Sequence, residues 1–555
     1  MSALKKMDSA ALSVSSEKEN KNLLNKFDAR KSPELIIALA GSIGSGISPV
    51  SKALEAQLRM RGYVDVVHIK LSKFLEKAIS DDLIPKWIPI EGSSDKLIRY
   101  RSLQNAGKKI RQKTENPAIL AEHAATEIAI DRRKRKTAQA DVLDFGPVIP
   151  QRVAYLIDQV KRPEEVALLR AVYRNLFYLA GVTRIHDHRV KALISEGVRI
   201  DEVNGLMEID RLEDGDDGQQ LDKTLHLADY FIRNDDAVVE DQRRKLNRFL
   251  DLVHGDKSVT PTDAEQGMYA AYSAGLRSAC LSRQVGAAIS TASGEIIATG
   301  CNDVPRSGGG LYTASSPVPD KRCVHLQDQL CFNDFHKKKL QKDIADAVDQ
   351  VLSKAEEGPI NLTVKDHEAL LEKIYKNTRL KDLLEFSRSV HAEMDAIVSL
   401  ARLGGAGIKG ATLYTTTFPC HNCARHIVAS GIAKVFYVEP YEKSLAKDLH
   451  SDSIAFEVEE SKEQNPKKVE FLHFEGVSPR QFHGMFRAIS RKNKEGVFIP
   501  IKILEADKVV PEYLDNYQDF EAKAVEHLIT EMKKLSLNVL VDTKEYAGNN
   551  ENHSN

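Results

Sequence analysis

Short apolar runs alternate with helical patterns through the first half of the chain. ELIIALA (34–40), VDVVHI (64–69), RVAYLI (152–157) and RNLFYLAGV (174–182) are largely apolar without alternation, as strands covered on both faces are. The stretches at 50–61 and 163–172 carry the three-to-four-residue spacing of helices. Together they predict a parallel sheet flanked by helices. EDGDDGQQ (213–220) reads as an acidic loop and EDQRRKLNRFLDLVH (240–254) as a further helix. GDKSVTPTD (255–263) has the composition of a linker. The second half predicts a helix over 264–281, then two strands, VGAAIS and EIIATG, joined by the turn-like TASG (291–294). A polar, mostly helical insert over 313–385 follows. Beyond it the pattern predicts a helix, the strand ATLYTTT (411–417), another helix and the strand KVFYVEP (434–440). No internal repeat is visible.

At 555 residues the chain exceeds what one ordinary core organises, so two or more domains are expected. The expected divisions are a disordered segment at 1–30, one domain over 34–254, and a second over 263–500 that carries the insert. A C-terminal extension over 501–555 ends in a polar, disordered tail. Charged residues at 29% against hydrophobic ones at 42% describe a globular chain. The net charge of −1 argues against a protein built to grip a nucleic-acid backbone, while leaving room for a local basic patch. Six cysteines are too few for a disulfide framework in a chain of this size. No run approaches ~20 uninterrupted apolar residues, and the first residues lack the apolar core of a signal peptide. A soluble, cytoplasmic protein without a membrane partner is expected.

The chemistry is concentrated in two short motifs. His391-Ala392-Glu393 followed by Pro419-Cys420-His421-Asn422-Cys423 reproduces H-x-E then P-C-x-x-C, the signature of zinc nucleobase deaminases. A catalytic zinc takes three protein ligands and keeps one position for water. His391 offers a nitrogen, and Cys420 and Cys423 offer thiolates from one helical turn. Glu393 stands two residues from His391, where it can serve the same cavity as general acid and base. A structural zinc site usually has four protein ligands from two paired knuckles. Here one close cysteine pair has no second pair nearby, and a carboxylate sits beside the histidine, which favours the catalytic reading.

Upstream, GLRSACLSRQVGAAIS (275–290) and IIATGCNDVPRSGGGLY (296–312) resemble the first helix, strand pair and loop of deoxycytidylate deaminases. The resemblance covers about 263–312 and 386–440. It implies that Asn302 contacts the nucleotide sugar and phosphate. It also matches Arg283 and Arg306 to basic positions suited to a phosphate, which arginine can hold with a bidentate fork; solvated surface charge is the competing reading of both. Cys323, His325, Cys331 and His336 could form a second zinc site, as in some deoxycytidylate deaminases. Their spacing is not a standard one, and a lone cysteine is usually a small buried hydrophobe.

In the first half, Gly41-Ser42-Ile43-Gly44-Ser45-Gly46-Ile47-Ser48 follows a predicted strand and precedes a predicted helix. It matches the phosphate-binding pattern G-x-x-x-x-G-K-[ST] at every defined position except the lysine, which is Ile47. The loop amides and helix N-terminus of such a motif form an anion nest, drawing on Gly41, Gly44, Ser45 and Gly46. Ser48 is placed to bind Mg²⁺ beside a nucleotide. Asp158, at the end of YLIDQVKRP, occupies the place of a Walker B acid. ADYFIRND (228–235) resembles the late strand and Asn of nucleoside monophosphate kinases. RYRSLQNAGKKIRQ (99–112) resembles the helix with which deoxynucleotide kinases touch their substrate. For Arg184, His186, His188, Arg189 and Lys191, a solvated helix face and a phosphate-closing lid are both open.

The fold class expected is therefore α/β, a P-loop NTPase-like parallel-sheet domain followed by a cytidine deaminase-like α/β/α zinc domain. That fusion resembles the bacterial anti-phage dCTP deaminases along nearly the whole chain. The resemblance implies conversion of dCTP and dCMP to deoxyuridine nucleotides, depletion of the dCTP pool, and an activity restrained until infection. It also brings, as analogy, a small inhibitory RNA, and from the simpler deoxycytidylate deaminases a homo-oligomer. Two rival readings use the same residues. A nucleic-acid cytosine deaminase would need a basic groove and stacking aromatics, against which stand the neutral charge and 6% aromatic content. A nucleotide sensor without turnover would leave the intact zinc motif unexplained.

Overall fold

A computed structural model describes residues 30–514 apart from 90, 140–150, 212–217, 236–238, 317–318, 327, 355–361, 405–406, 440–443, 457–467, 488–489 and 505. The expected disordered N-terminal segment (but for residue 30), the polar tail and most of the acidic loop at 213–220 lie outside these residues.

The apolar runs of the first half are strands: β1 (Leu35–Gly41), β2 (Asp65–Lys70), β3 (Val153–Asp158), β4 (Phe177–Thr183) and β5 (Tyr230–Arg233). They stand side by side in the order β2-β3-β1-β4-β5, all parallel. All of β1 is buried, because helices cover both faces of the sheet. Alternate residues serve opposite cores. Ile36, Ala38 and Ala40 face a cluster with Tyr155 and Leu179, whereas Leu35, Ile37 and Leu39 face one with Leu54 and Phe249. The helix Ile47–Met60 lies on the second face, as does Val239–Val253.

In the second half, β6 (Gly286–Ser290) and β7 (Ile296–Cys301) form the expected antiparallel pair, with Gly294 at φ 93° in the turn between them. They continue into β8 (Thr412–Thr417), β9 (Lys434–Glu439), β10 (Ile454–Phe456) and β11 (Val469–His473), giving the sheet order β10-β11-β9-β8-β6-β7. The insert contributes two helices, Phe332–Leu352 and Val364–Asn377. The helix expected over 264–281 stops at Gly275. A Cβ on Gly286 would lie 1.8 Å from Ala271 O, and one on Gly275 would lie 2.9 Å from Gly286 N. The helix is pressed onto β6 there, and the chain must leave the helical path to feed that strand.

The two halves share a core. Met268, Ala271, Ala288, Tyr414 and Phe474 join the cluster that covers one face of the first sheet. After β11 the chain crosses back as β12 (Gly476–Val477) and pairs antiparallel with β5. Buried Glu265 ties this junction together. Its carboxylate closes a capping box with Thr262, accepts from Val477 N at 2.9 Å and pairs with Arg248. Residues 508–514 also return to the first half, where Lys508 Nζ donates to Ser32 O at 2.6 Å and Glu34 O at 2.9 Å. Among the described residues no helix is long and apolar enough to cross a membrane.

Candidate active site

Two helix N-termini meet at the end of β8. His391 caps the helix Ala392–Leu403, and Cys420 caps the helix His421–Ser430. The first residue of each motif is thus extended, while Glu393 and Cys423 sit in the first turns behind them. His391 Nδ1 lies 3.3 Å from Cys420 Sγ and 3.3 Å from Cys423 Sγ. Cys423 Sγ lies 3.5 Å from Glu393 Oε2. Cys420, Cys423 and Glu393 are buried.

The electrostatics suit a cation at the centre. A hydrogen bond from Cys423, with the His391 ring beside it, pushes the Cys420 thiol down to about 4. The Cys423 thiol is pushed up by Cys420, by burial and by Glu393. Burial raises the Glu393 carboxyl, and the hydrogen bond to Cys420 raises the His391 ring. The second thiolate is thus unfavourable without added positive charge, while two helix N-termini supply only part of it. One nitrogen and two sulfurs with ligand atoms within 4.8 Å of one another form the donor set of a three-ligand zinc site. Glu393 stands beside it rather than in it.

The cavity at this centre has a volume of about 350 Å³. Asn302 and Arg283 line it. Asn302 is tied into the wall, with Nδ2 donating to Arg283 O at 2.8 Å and Oδ1 accepting from Val285 N at 2.7 Å. Arg283 is half-exposed and pairs with Glu439 at 3.1 Å. Arg306 is not among the lining residues; its Nε donates to Gly309 O and closes the loop after β7. Asn333 and Lys337, from the start of the insert helix Phe332–Leu352, line the cavity and were not anticipated. Nothing in the polar insert marked them, since only the tertiary fold brings that helix to the zinc motif.

The four residues weighed for a second metal do not converge. His325 pairs with Asp320 at 3.3 Å, Cys323 lies against Arg388, and His336 packs between the rings of Phe335 and Phe386. Cys331 lines the cavity just described. Among the described residues, His391, Cys420 and Cys423 form the group able to hold a metal.

The Gly41–Ser48 loop joins β1 to the helix Ile47–Met60, with Gly44 and Gly46 both at φ 80°. Its backbone is gripped by side chains. Asp210, ion-paired with Lys161, accepts from Ile43 N at 2.7 Å. Arg184 Nη1 donates to Gly44 O at 3.2 Å, and Asn234 Nδ2 donates to Ser45 O at 2.8 Å. Ser45 is buried and Ser48 is exposed in the first helical turn. Burial raises the Asp158 carboxyl, with Lys70, His68 and Lys161 opposing. In the 99–112 segment, Arg111 is buried against Glu165 and so serves packing.

Residues 261–439 match a family described as the cytidine and deoxycytidylate deaminase zinc-binding region. Over 55 residues the chain is 49% identical to the deoxycytidylate deaminase of Enterobacteria phage T2, covering 10% of this chain and 29% of that protein. Over 56 residues it is 39% identical to the ComE operon protein 2 of Bacillus subtilis (strain 168), again covering 10% of this chain and 29% of that protein. The chain thus spans less than a third of the length of these relatives. The dCMP deaminase from the cyanophage S-TIM5 aligns with 39% of this chain and 100% of its own, at 19% identity and a TM-score of 0.20. A cytidine/deoxycytidylate-type zinc-binding domain is present within residues 261–439.

Proposed function

We propose that the chain is a zinc-dependent hydrolase that deaminates free deoxycytidine nucleotides, dCTP and dCMP, to their deoxyuridine counterparts. The observation that carries this reading is the arrangement of Glu393 beside, and outside, the His391–Cys420–Cys423 donor set in one buried cavity. When bound, zinc supplies the Lewis acidity that makes water nucleophilic near neutral pH. In the reaction, water oxygen bonds to C4 of the cytosine ring, the C4–N bond breaks, and the nitrogen leaves as ammonia. Glu393 takes the proton from the attacking water and delivers protons to the ring nitrogen and the departing amine. Asn302 and Arg283 hold the sugar and phosphate side of the substrate.

Ammonia release from dCTP, dCMP, CTP and single-stranded DNA tests this directly. Turnover of the deoxynucleotides at about ten times the efficiency of CTP or more is expected. Equal rates with CTP would remove the basis for the deoxyribose preference, and DNA as the best substrate would favour the base-editing rival.

The resemblance to anti-phage dCTP deaminases supports a defence role, in which depleting dCTP starves phage replication. In that reading the Gly41–Ser48 loop binds a nucleotide with Mg²⁺ and regulates the deaminase. Its glycine conformations and helix N-terminus support phosphate binding. Ile47 cannot supply the charge that acts on a transferring phosphoryl group. A kinase assay with deoxynucleoside monophosphates and ATP should show no transfer. Robust transfer would sink the regulatory role.

A further inference from the structure

Three lysines stand in a row near the start of the insert helix Phe332–Leu352: Lys337, Lys338 and Lys339. Such a run is ordinarily a solvated face, because an ammonium is costly to take out of water. Lys338 and Lys339 are exposed, as that rule requires. Lys337 is 7% exposed and, with Ala345, is one of the two buried residues of the helix. The same helix leaves Ile344 and Val351 exposed. It therefore turns a lysine inward where apolar side chains were at hand, and the need for a packed core does not account for that choice.

Lys337 lines the zinc-centre cavity, as do Cys331, Asn333 and Asp334 from the start of the same helix. Two contacts hold this helix start in place. Asn333 Nδ2 donates to Leu383 O at 3.0 Å, and the Arg388 guanidinium lies 5.5 Å from the centre of the Phe332 ring. Leu383 and Arg388 belong to the stretch that leads into His391, so the insert wall and the first zinc ligand are tied to one piece of chain.

Besides His391, the basic side chains lining the cavity are Arg283, from the segment ahead of β6, and Lys337. Each pairs with a carboxylate: Arg283 with Glu439 at 3.1 Å, and Lys337 with Asp334 at 3.3 Å. Asp334 is exposed, so water takes over its solvation when another anion claims the ammonium. Ion pairs with one partner in solvent contribute little and exchange readily. Arginine holds phosphate with a planar fork, whereas lysine adds a compact point charge with three donors, so the two complement each other around one anion.

We propose that Lys337, delivered by the insert, binds the phosphate of the substrate, and that the insert thereby makes the zinc centre select deoxycytidine nucleotides over deoxycytidine. The phosphate displaces Asp334 from the ammonium and lies between Lys337 and Arg283. The selectivity rests on the deaminase reading of this cavity; the phosphate contact does not.

The test measures ammonia release from dCMP, dCTP and deoxycytidine by zinc-loaded wild-type, Lys337→Gln, Lys337→Arg and Asp334→Asn proteins. Lys337→Gln should raise KM for both nucleotides about tenfold at near-unchanged kcat, zinc content and melting temperature. Its kcat/KM on deoxycytidine should stay within about twofold of wild type. Lys337→Arg keeps the charge and should recover most of the nucleotide preference. Asp334→Asn removes the competing carboxylate at an exposed position and should lower KM for the nucleotides about twofold, so it carries the test even where Lys337→Gln fails to fold. An equal loss on nucleoside and nucleotides, no loss in Lys337→Gln, or a KM that does not fall in Asp334→Asn would each overturn the proposal. A wild-type protein that deaminates none of the three would instead overturn the deaminase reading. Calorimetric binding of dCMP, weakened about tenfold in Lys337→Gln, would then leave the phosphate contact standing.

Discussion

The zinc motif and the glycine loop are built on the same plan. The cysteine half of the zinc motif follows the central strand β8 as the glycine loop follows β1, and each runs into a helix N-terminus that concentrates backbone donors. They differ in where their side chains point. At the zinc motif His391, Glu393, Cys420 and Cys423 converge on one cavity, with sulfurs 3.3 Å from the ring nitrogen. In the glycine loop the surrounding side chains grip the backbone, Asp210 on Ile43 N, Arg184 on Gly44 O and Asn234 on Ser45 O. The first site holds its chemistry in its own side chains. The second keeps its shape by borrowing partners 140 to 189 residues away and carries the apolar Ile47 ahead of Ser48.

The sharpest way to break this contrast is to remove a donor. Cys423→Ala should lose zinc and essentially all deamination, measured by metal analysis and ammonia release, because the site retains only two ligands. A zinc-replete, active Cys423→Ala protein would mean that the ligands have been misassigned. Glu393→Ala should keep zinc yet slow turnover about 10²–10⁴-fold, the usual worth of a general acid–base. Near-normal turnover would remove Glu393 from the mechanism.

The first half should show its own weakness on acidification. Burial pushes the His254 ring down to about 4, against its ordinary 6.5, while its hydrogen bond to Leu250 O opposes the shift. The unfolded ring takes a proton below 6.5 and the folded one does not. The stability it contributes is therefore complete above pH 6.5 and is lost as pH falls toward 4, up to about 3 kcal/mol. His254→Gln, which can still face Tyr63, should flatten that acid limb in chemical denaturation. Coincident limbs for the two proteins would show that His254 is not the source.

At the glycine loop, Gly46→Glu should cost about 1–3 kcal/mol, since it forces a side chain into a left-handed conformation. The new Cβ would also lie 2.3 Å from Asn234 Nδ2. Melting should drop while zinc content stays constant. Loss of zinc in this variant would show that the two loops are not separable as the comparison holds.

The amino-acid sequence by itself determined the central strands of both halves and the zinc-binding motif. The buried runs of β1, β3 and β4 are legible because a strand covered on both faces needs few polar residues. His391, Glu393, Cys420 and Cys423 are legible because their mutual geometry is set within one or two turns at two helix starts. The tertiary structure decided what depends on partners far apart in the chain. It turned the amide of Asn302 into a tie between Arg283 and Val285, left Arg306 outside the cavity, and dispersed the four residues weighed for a second metal. It also brought Asn333 and Lys337 to the zinc centre and set Arg184 to Lys191 facing a wall of the other half. Local spacing fixes which side chains one turn can present together. Which distant surface they meet is decided by packing two sheets onto a shared core, and no short stretch of sequence carries that choice.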